Sequence, residues 1–195
     1  MNPLAEASVF LIQSILHIFL LMVILRFLLQ VARADFYNPI SQAVVKVTNP
    51  LLKPLRRIIP GVFGLDIAAI ALAFLVQFVA IYSCALIMGY GLLSPLSVSF
   101  WALIGLASFV TNLFFFALIA SVIISWVAPG NHHPAILLIN QLLEPLVGPL
   151  RKIIPPVGGL DFSVLAAFLI IQVIKIFLSA AQLSPAVKAI VLGIF

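Results

Sequence analysis

Pro50-Leu51-Leu52-Lys53-Pro54-Leu55-Arg56-Arg57-Ile58-Ile59-Pro60-Gly61-Val62-Phe63-Gly64-Leu65-Asp66 returns 95 residues later as Pro145-Leu146-Val147-Gly148-Pro149-Leu150-Arg151-Lys152-Ile153-Ile154-Pro155-Pro156-Val157-Gly158-Gly159-Leu160-Asp161. No gap is needed, and 12 of the 17 positions are identical. The match extends outward at the same offset: Pro39 pairs with Pro134, Gln77 with Gln172, and His17 falls opposite Asn112. The chain is therefore a tandem duplication, with units 1–95 and 96–195. Each unit reads as an apolar helix, a short amphipathic helix, a proline-arginine hairpin and a second apolar helix.

Composition sets the solvent. Hydrophobic residues make up 65% of the 195 positions and charged residues 8%, against roughly 25% charged in a soluble domain. Four runs, about 8–31, 67–88, 100–127 and 162–181, are long and apolar enough to cross a ~30 Å hydrocarbon core. The expected fold class is all-α integral membrane, with four transmembrane helices in two same-orientation hairpins. Two spans per unit bring both copies in from the same side, which predicts a pseudo-twofold axis along the membrane normal. The N-terminus lacks the positive region of a cleavable signal, so the first run reads as a retained span. The last stretch, Pro185 to Phe195 with Lys188, reads as a short interfacial tail.

Between the spans, Asn38-Pro39 and His133-Pro134 open segments 39–48 and 134–144. Both are too short to span and read as interfacial helices. In the first, Ile40, Ala43, Val44 and Val47 fall on one face. The hairpin motifs follow, at 49–66 and 145–161. Pro54 lacks the amide that would bond back to Pro50, which predicts a helix that is kinked or only one turn long. Arg26 sits near the end of the first span and is expected to snorkel to the headgroups.

The basic residues Arg33, Lys46, Lys53, Arg56 and Arg57 lie in the connection between the first two spans. Arg151 and Lys152 lie between the last two. The positive-inside rule then puts both hairpins in the cytoplasm and both termini in the periplasm.

The motif Asn49-Pro50-x-x-x-Pro54-Leu55-Arg56-Arg57-Ile58-Ile59-Pro60 followed by Gly64-Leu65-Asp66, duplicated within under 200 residues, resembles the YggT/YlmG family of bacterial and plastid membrane proteins. The duplicated form is similar to its proteobacterial YggT branch. The second copy departs from the pattern: Glu144 stands for Asn49, Gly148 for Lys53, and Pro156 adds a proline. The resemblance implies residence in a bacterial inner membrane. It also implies links to osmotic-stress tolerance and potassium uptake, to cell division, and in plastids to cytochrome b6 haem assembly and nucleoid partitioning. It implies no established reaction.

Two groups of residues carry the functional expectations. Lys53, Arg56, Arg57, Arg151 and Lys152 are candidates for docking a partner or anionic lipid, or for an arginine pairing with Asp66 or Asp161 that locks the hairpin. The first hairpin is the more basic and is the expected contact. Asp66 and Asp161 are candidate caps for the following helices. His17, Gln77, Asn112, Gln172 and Lys175 could form an intramembrane polar seam. Its plain reading is interhelical hydrogen bonding and its functional reading an ion or proton path. Asp66 and Gln77 are three helical turns apart, ~16 Å, so Gln77 falls near mid-membrane.

No enzyme is expected: the two aspartates already serve as caps and lack an accompanying nucleophile. His132-His133 has no further ligands at zinc spacing, and His17 has no partner histidine for haem, so no metal or cofactor is expected. The lone Cys84 cannot bridge within the chain. The basic residues sit against apolar neighbours, which argues against nucleic acid. The first functional expectation is a non-enzymatic inner-membrane scaffold or assembly factor with a role in osmotic or envelope homeostasis. It would dock anionic headgroups or a division or assembly protein. The alternative is a small ion-permeating or potassium-uptake-supporting protein that uses the seam, as an oligomer of this chain.

Overall fold

The computed structural model describes residues 3–154 and 161–180. Within them the chain forms six helices: α1 Pro3–Val31, α2 Pro39–Ile58, α3 Ile67–Ile87, α4 Pro95–Val127, α5 Pro134–Ile153 and α6 Phe162–Ala180. Four of these, α1, α3, α4 and α6, are long and apolar enough to cross a membrane, and the protein is multi-pass. No strand occurs among the described residues.

Small residues set the closest packing. Ala68, Ala69 and Ala73 of α3 let it approach Leu20, Val23 and Ile24 of α1, and Leu52 of α2 closes one end of this core. With lipid as the competing solvent, such backbone approach and van der Waals fit hold helices together. In the second unit Leu118 of α4 packs with Ala167 and Ile171 of α6 and with Leu143 and Val147 of α5. The units join through α3 and α4, where Ile81 and Cys84 meet Val98 and Ala102. At the other end Leu29 of α1 meets Leu138 and Leu142 of α5. Two polar bonds also cross at that end: the Asp35 amide donates to Gln141 Oε1 at 3.0 Å, and Asn38 Nδ2 donates to the Pro134 carbonyl at 2.8 Å.

Several boundaries differ from the sequence reading. α1 begins at Pro3 rather than near Ser8, and α4 begins at Pro95, a favoured first helical residue, instead of Phe100. At ~1.5 Å per residue α4 is ~50 Å long and outreaches the hydrocarbon core.

The larger correction concerns the hairpin motifs. α2 does not stop near Thr48 or shrink to one turn. It continues through Pro50 and Pro54, and α5 likewise continues through Pro145 and Pro149. Each proline deletes one helical hydrogen bond. In α2, however, Pro50, Pro54 and Lys46 all lie on the exposed side, so the freed carbonyls of Lys46 and Pro50 are not sealed in the core. Ser41, Val44, Thr48 and Leu52 on the opposite side are buried at helical spacing and hold the helix to α1 and α3. The buried stripe is thus rotated from the expected Ile40, Ala43, Val44 and Val47. Of those four only Val44 is buried; Ala43 and Val47 are exposed.

What remains of the first motif is a tight turn. Val62 and Leu65 exchange backbone hydrogen bonds. Phe63 and Gly64 between them both have positive φ, 51° and 79°, as a type I′ turn requires. The corresponding turn of the second unit and the tail after Ala180 lie outside the described residues.

Candidate functional site

Both elbows, the α2–α3 and α5–α6 junctions, are closed by an arginine gripping the aspartate that starts the next helix. In the first, Arg56 Nη2 donates to Asp66 Oδ2 at 2.5 Å and Nε donates to Oδ1 at 3.3 Å. This is the two-point geometry a guanidinium offers and an ammonium cannot. Asp66 Oδ1 also accepts from the Ala69 amide at 3.3 Å, capping α3, and the residue is only 5% exposed. One carboxylate therefore joins the end of α2 to the start of α3.

The second elbow makes the same join differently. Arg151 Nε donates to Asp161 Oδ2 at 2.8 Å, and Nη1 reaches Glu144 Oε2 at 3.4 Å. Asp161 Oδ1 accepts from the Ser163 amide, and Ser163 Oγ donates to the Ile154 carbonyl. Glu144 can reach Arg151 because residue 148 is glycine: a Cβ there would lie 2.7 Å from Glu144 Oε1. The two departures of the second motif, Glu144 and Gly148, are thus one coupled change.

Partial burial pushes the Asp161 carboxyl up, but hydrogen bonds from Arg151 and Ser163 and the Arg151 charge outweigh it. The net effect holds the carboxyl below its ordinary value. A depressed folded-state value means that the contribution to stability is complete above the unfolded value of about 3.9. It is lost as pH falls through the folded value. Acid titration followed by amide hydrogen exchange at the start of α6 should show opening below about pH 4. In Asp161→Asn that opening should lose its pH dependence.

The other basic candidates point away. Lys53, Arg57 and Lys152 are exposed and are bound to no carboxylate among the described residues. Beside them Ile58 is exposed, and Phe63 at the turn tip is 99% exposed. The first elbow therefore displays cations and apolar side chains together.

Arg26 does not snorkel. Its Nη1 donates to Thr48 Oγ1 at 2.6 Å, Asn49 Oδ1 at 2.9 Å and the Val45 carbonyl at 3.3 Å, binding α1 to α2. Thr48 Oγ1 passes its own proton to the Val44 carbonyl at 2.7 Å. Below this cluster a cleft of about 780 Å³ opens between α1, α2 and the turn, with Arg26, Arg33, Ser41, Arg56 and Asp66 in its wall. Among the described residues of the second unit a cleft of about 250 Å³ is lined by Ser121, Asn140, Glu144 and Arg151, of which Ser121 and Arg151 match Arg26 and Arg56. Sequence reasoning missed the Arg26 cluster and Ser41. The available signal was that Arg26 has an uncharged counterpart, Ser121.

The seam residues are divided between the units. His17 and Gln77 are buried in the α1–α3 half, with His17 5.9 Å from the Phe109 ring. Asn112 is half-buried on α4 and Gln172 half-buried on α6. Lys175 Nζ lies 4.0 Å from the centre of the Phe115 ring, a cation–π contact, and Phe115 in turn packs on Phe168. α6 packs on α4 and α5, and neither elbow cleft is lined by a seam residue. His133 Nδ1 accepts from the Ala135 amide and caps α5. No cluster of three metal-ligating side chains occurs among the described residues.

The sequence profile of the CCB3/YggT family matches residues 5–87 and again 100–182, the same 95-residue offset that relates the two motifs. An uncharacterised protein of Pseudomonas aeruginosa strain PAO1 is 47% identical over 175 residues, 89% of each chain. A Vibrio alginolyticus protein, described by its position in the proC 3′ region, is 42% identical over 84% of this chain and 88% of its own. The uncharacterised protein YggT of Escherichia coli strain K12 is 35% identical over 85% of this chain and 86% of its own. No solved structure matches the chain.

Proposed function

The chain belongs to the CCB3/YggT family, and from that membership and the elbow geometry we propose a non-enzymatic scaffold or assembly factor of the bacterial inner membrane. Both elbows face the cytoplasm and both termini the periplasm, as the basic loops favour. The observation that carries this reading is the locked first elbow. Arg56 is consumed in fixing the turn, and the turn then holds Phe63 out at an elbow whose helix also exposes Lys53, Arg57 and Ile58. A rigid tip with an aromatic anchor and peripheral cations has the make-up of a protein-docking surface.

Along α2, Val47, Leu51 and Ile58 form an exposed apolar flank between the buried stripe and the prolines. That flank suits a helix lying in the membrane interface, with Gln42, Lys46 and Lys53 turned to water. The division of the polar seam between the units favours the scaffold reading over ion permeation. Such a role is compatible with osmotic or envelope homeostasis.

A photo-crosslinker placed at position 63 should give discrete protein adducts in native membranes. K53E/R57E should reduce them at least about tenfold, since misplaced charge at an interface costs more than the ~1.4 kcal/mol that tenfold requires, while the melting temperature stays unchanged. Adducts indifferent to that variant, or purified protein that conducts potassium in liposomes, would sink the reading.

A further inference from the structure

We propose that the cleft between α1, α2 and the first turn is a binding site for a phosphate group, with the phosphodiester of an anionic phospholipid as its natural source. The inference does not rest on the scaffold reading. It stands on the composition of one cavity and on its contrast with the same place in the second unit.

Three guanidiniums, Arg26, Arg33 and Arg56, line the cleft against one carboxylate, Asp66. That carboxylate is already engaged by Arg56 and by its own helix cap. Arg26 makes all three of its bonds to α2 through Nη1, so the Nε–Nη2 edge is not used in them. Excess positive charge gathered at a partly apolar wall is unfavourable unless an anion joins it.

Ser41 supplies an independent pointer. It lines the cleft, is 5% exposed, and its Oγ makes no hydrogen bond. Buried hydroxyls are ordinarily bonded. Ser41 is the third residue of α2, and four residues back lies Tyr37, ahead of the cap, so no helical carbonyl sits beneath the hydroxyl. A phosphate oxygen would accept both its proton and those of the guanidiniums.

The rest of the wall favours a lipid. Leu29, Val44 and Leu65 border the cations, the juxtaposition that a glycerophosphate with its first acyl carbons presents. The cavity is large enough for a headgroup, since small-molecule sites run to roughly 300–1,000 Å³.

The second unit serves as an internal contrast. At the offset of 95 residues, Arg26 becomes Ser121, Arg33 becomes Ala128 and Ser41 becomes Ile136, while Asn49 becomes Glu144. The remaining Arg151 is held by two carboxylates, Glu144 and Asp161. Among the described residues, the second unit has neither the cation excess nor the buried hydroxyl of the first.

Native mass spectrometry of the full chain, released from micelles containing phosphatidylglycerol, tests this. Wild-type protein should retain the lipid. R33A/S41A should retain at least about tenfold less, the loss expected from hydrogen bonds to a charged group. K46A removes an exposed charge of α2 outside the cleft and should retain lipid like the wild type. A parallel arm measures melting in lipid-free micelles with and without millimolar inorganic phosphate. If only this arm separates wild type from R33A/S41A, the site takes its phosphate from solution. The single variants R33A and S41A, each compared with wild type for melting without phosphate, keep the result separate from misfolding. If K46A loses lipid as strongly as R33A/S41A, or if neither probe distinguishes the cleft variant, the site is overturned.

Discussion

Asp66→Ala should lower the stability of the folded chain by about 2–3 kcal/mol, against about 1 kcal/mol for Asp161→Ala. The larger figure combines two losses. One is the helix cap, about 1 kcal/mol. The other is a two-point charged hydrogen bond, reduced from its buried value because the Arg56 side chain is 40% exposed. At the second elbow both partners are more exposed, at 49% and 30%, and Glu144 keeps hold of Arg151 after the mutation. Asp66→Asn separates the contributions, because asparagine still caps but no longer pairs with a cation; about half the loss should return. Unfolding in mixed micelles by a denaturing detergent would read all three. Equal effects at 66 and 161, or a larger effect at 161, would refute this account of the elbows.

The second large effect belongs to Arg26. Replacement by leucine should destabilise the chain by about 2 kcal/mol, because three bonds between α1 and α2 vanish at once and bonds within membranes average well under 1 kcal/mol each. Thr48 keeps its bond to the Val44 carbonyl, which limits the loss. Ser121→Ala at the matching place should change stability by less than about 0.5 kcal/mol. The comparison is best made in lipid-free micelles, so that any anion in the cleft does not contribute. An Arg26→Leu protein as stable as wild type would mean that α2 is held by its apolar stripe alone.

The membrane fold was plain in the sequence because hydrophobic run length is a direct consequence of bilayer thickness, and the four runs from Ser8 to Ala181 needed no tertiary knowledge. The duplication was equally plain, since identical spacing survives divergence of side chains. The course of α2 was not. Proline in a helix is a local cost, and whether Pro50 and Pro54 break the chain depends on which side they face and on what Leu52 and Thr48 gain by burial. That is a tertiary balance that neither residue advertises. Arg26 was misplaced for a similar reason: proximity to a span's end suggested headgroups, while three acceptors on α2 lay nearer. The Arg56–Asp66 grip was readable as one option among two. Ser41 was invisible, because a serine near a helix start ordinarily signals a cap, and here Asn38 already supplies it.

The two polar bonds seen to tie the units together among the described residues run in one sense. The first unit donates both, from Asp35 and Asn38, and the second accepts both, at Gln141 and Pro134. Their counterparts under the repeat would be Gly130 to Lys46 and His133 to Pro39, and the Lys46 side chain has no acceptor atom to stand in for Gln141 Oε1. The junction is therefore heterologous although the halves are copies. One half is the plug and the other the socket, so that neither is equipped to replace the other across this junction.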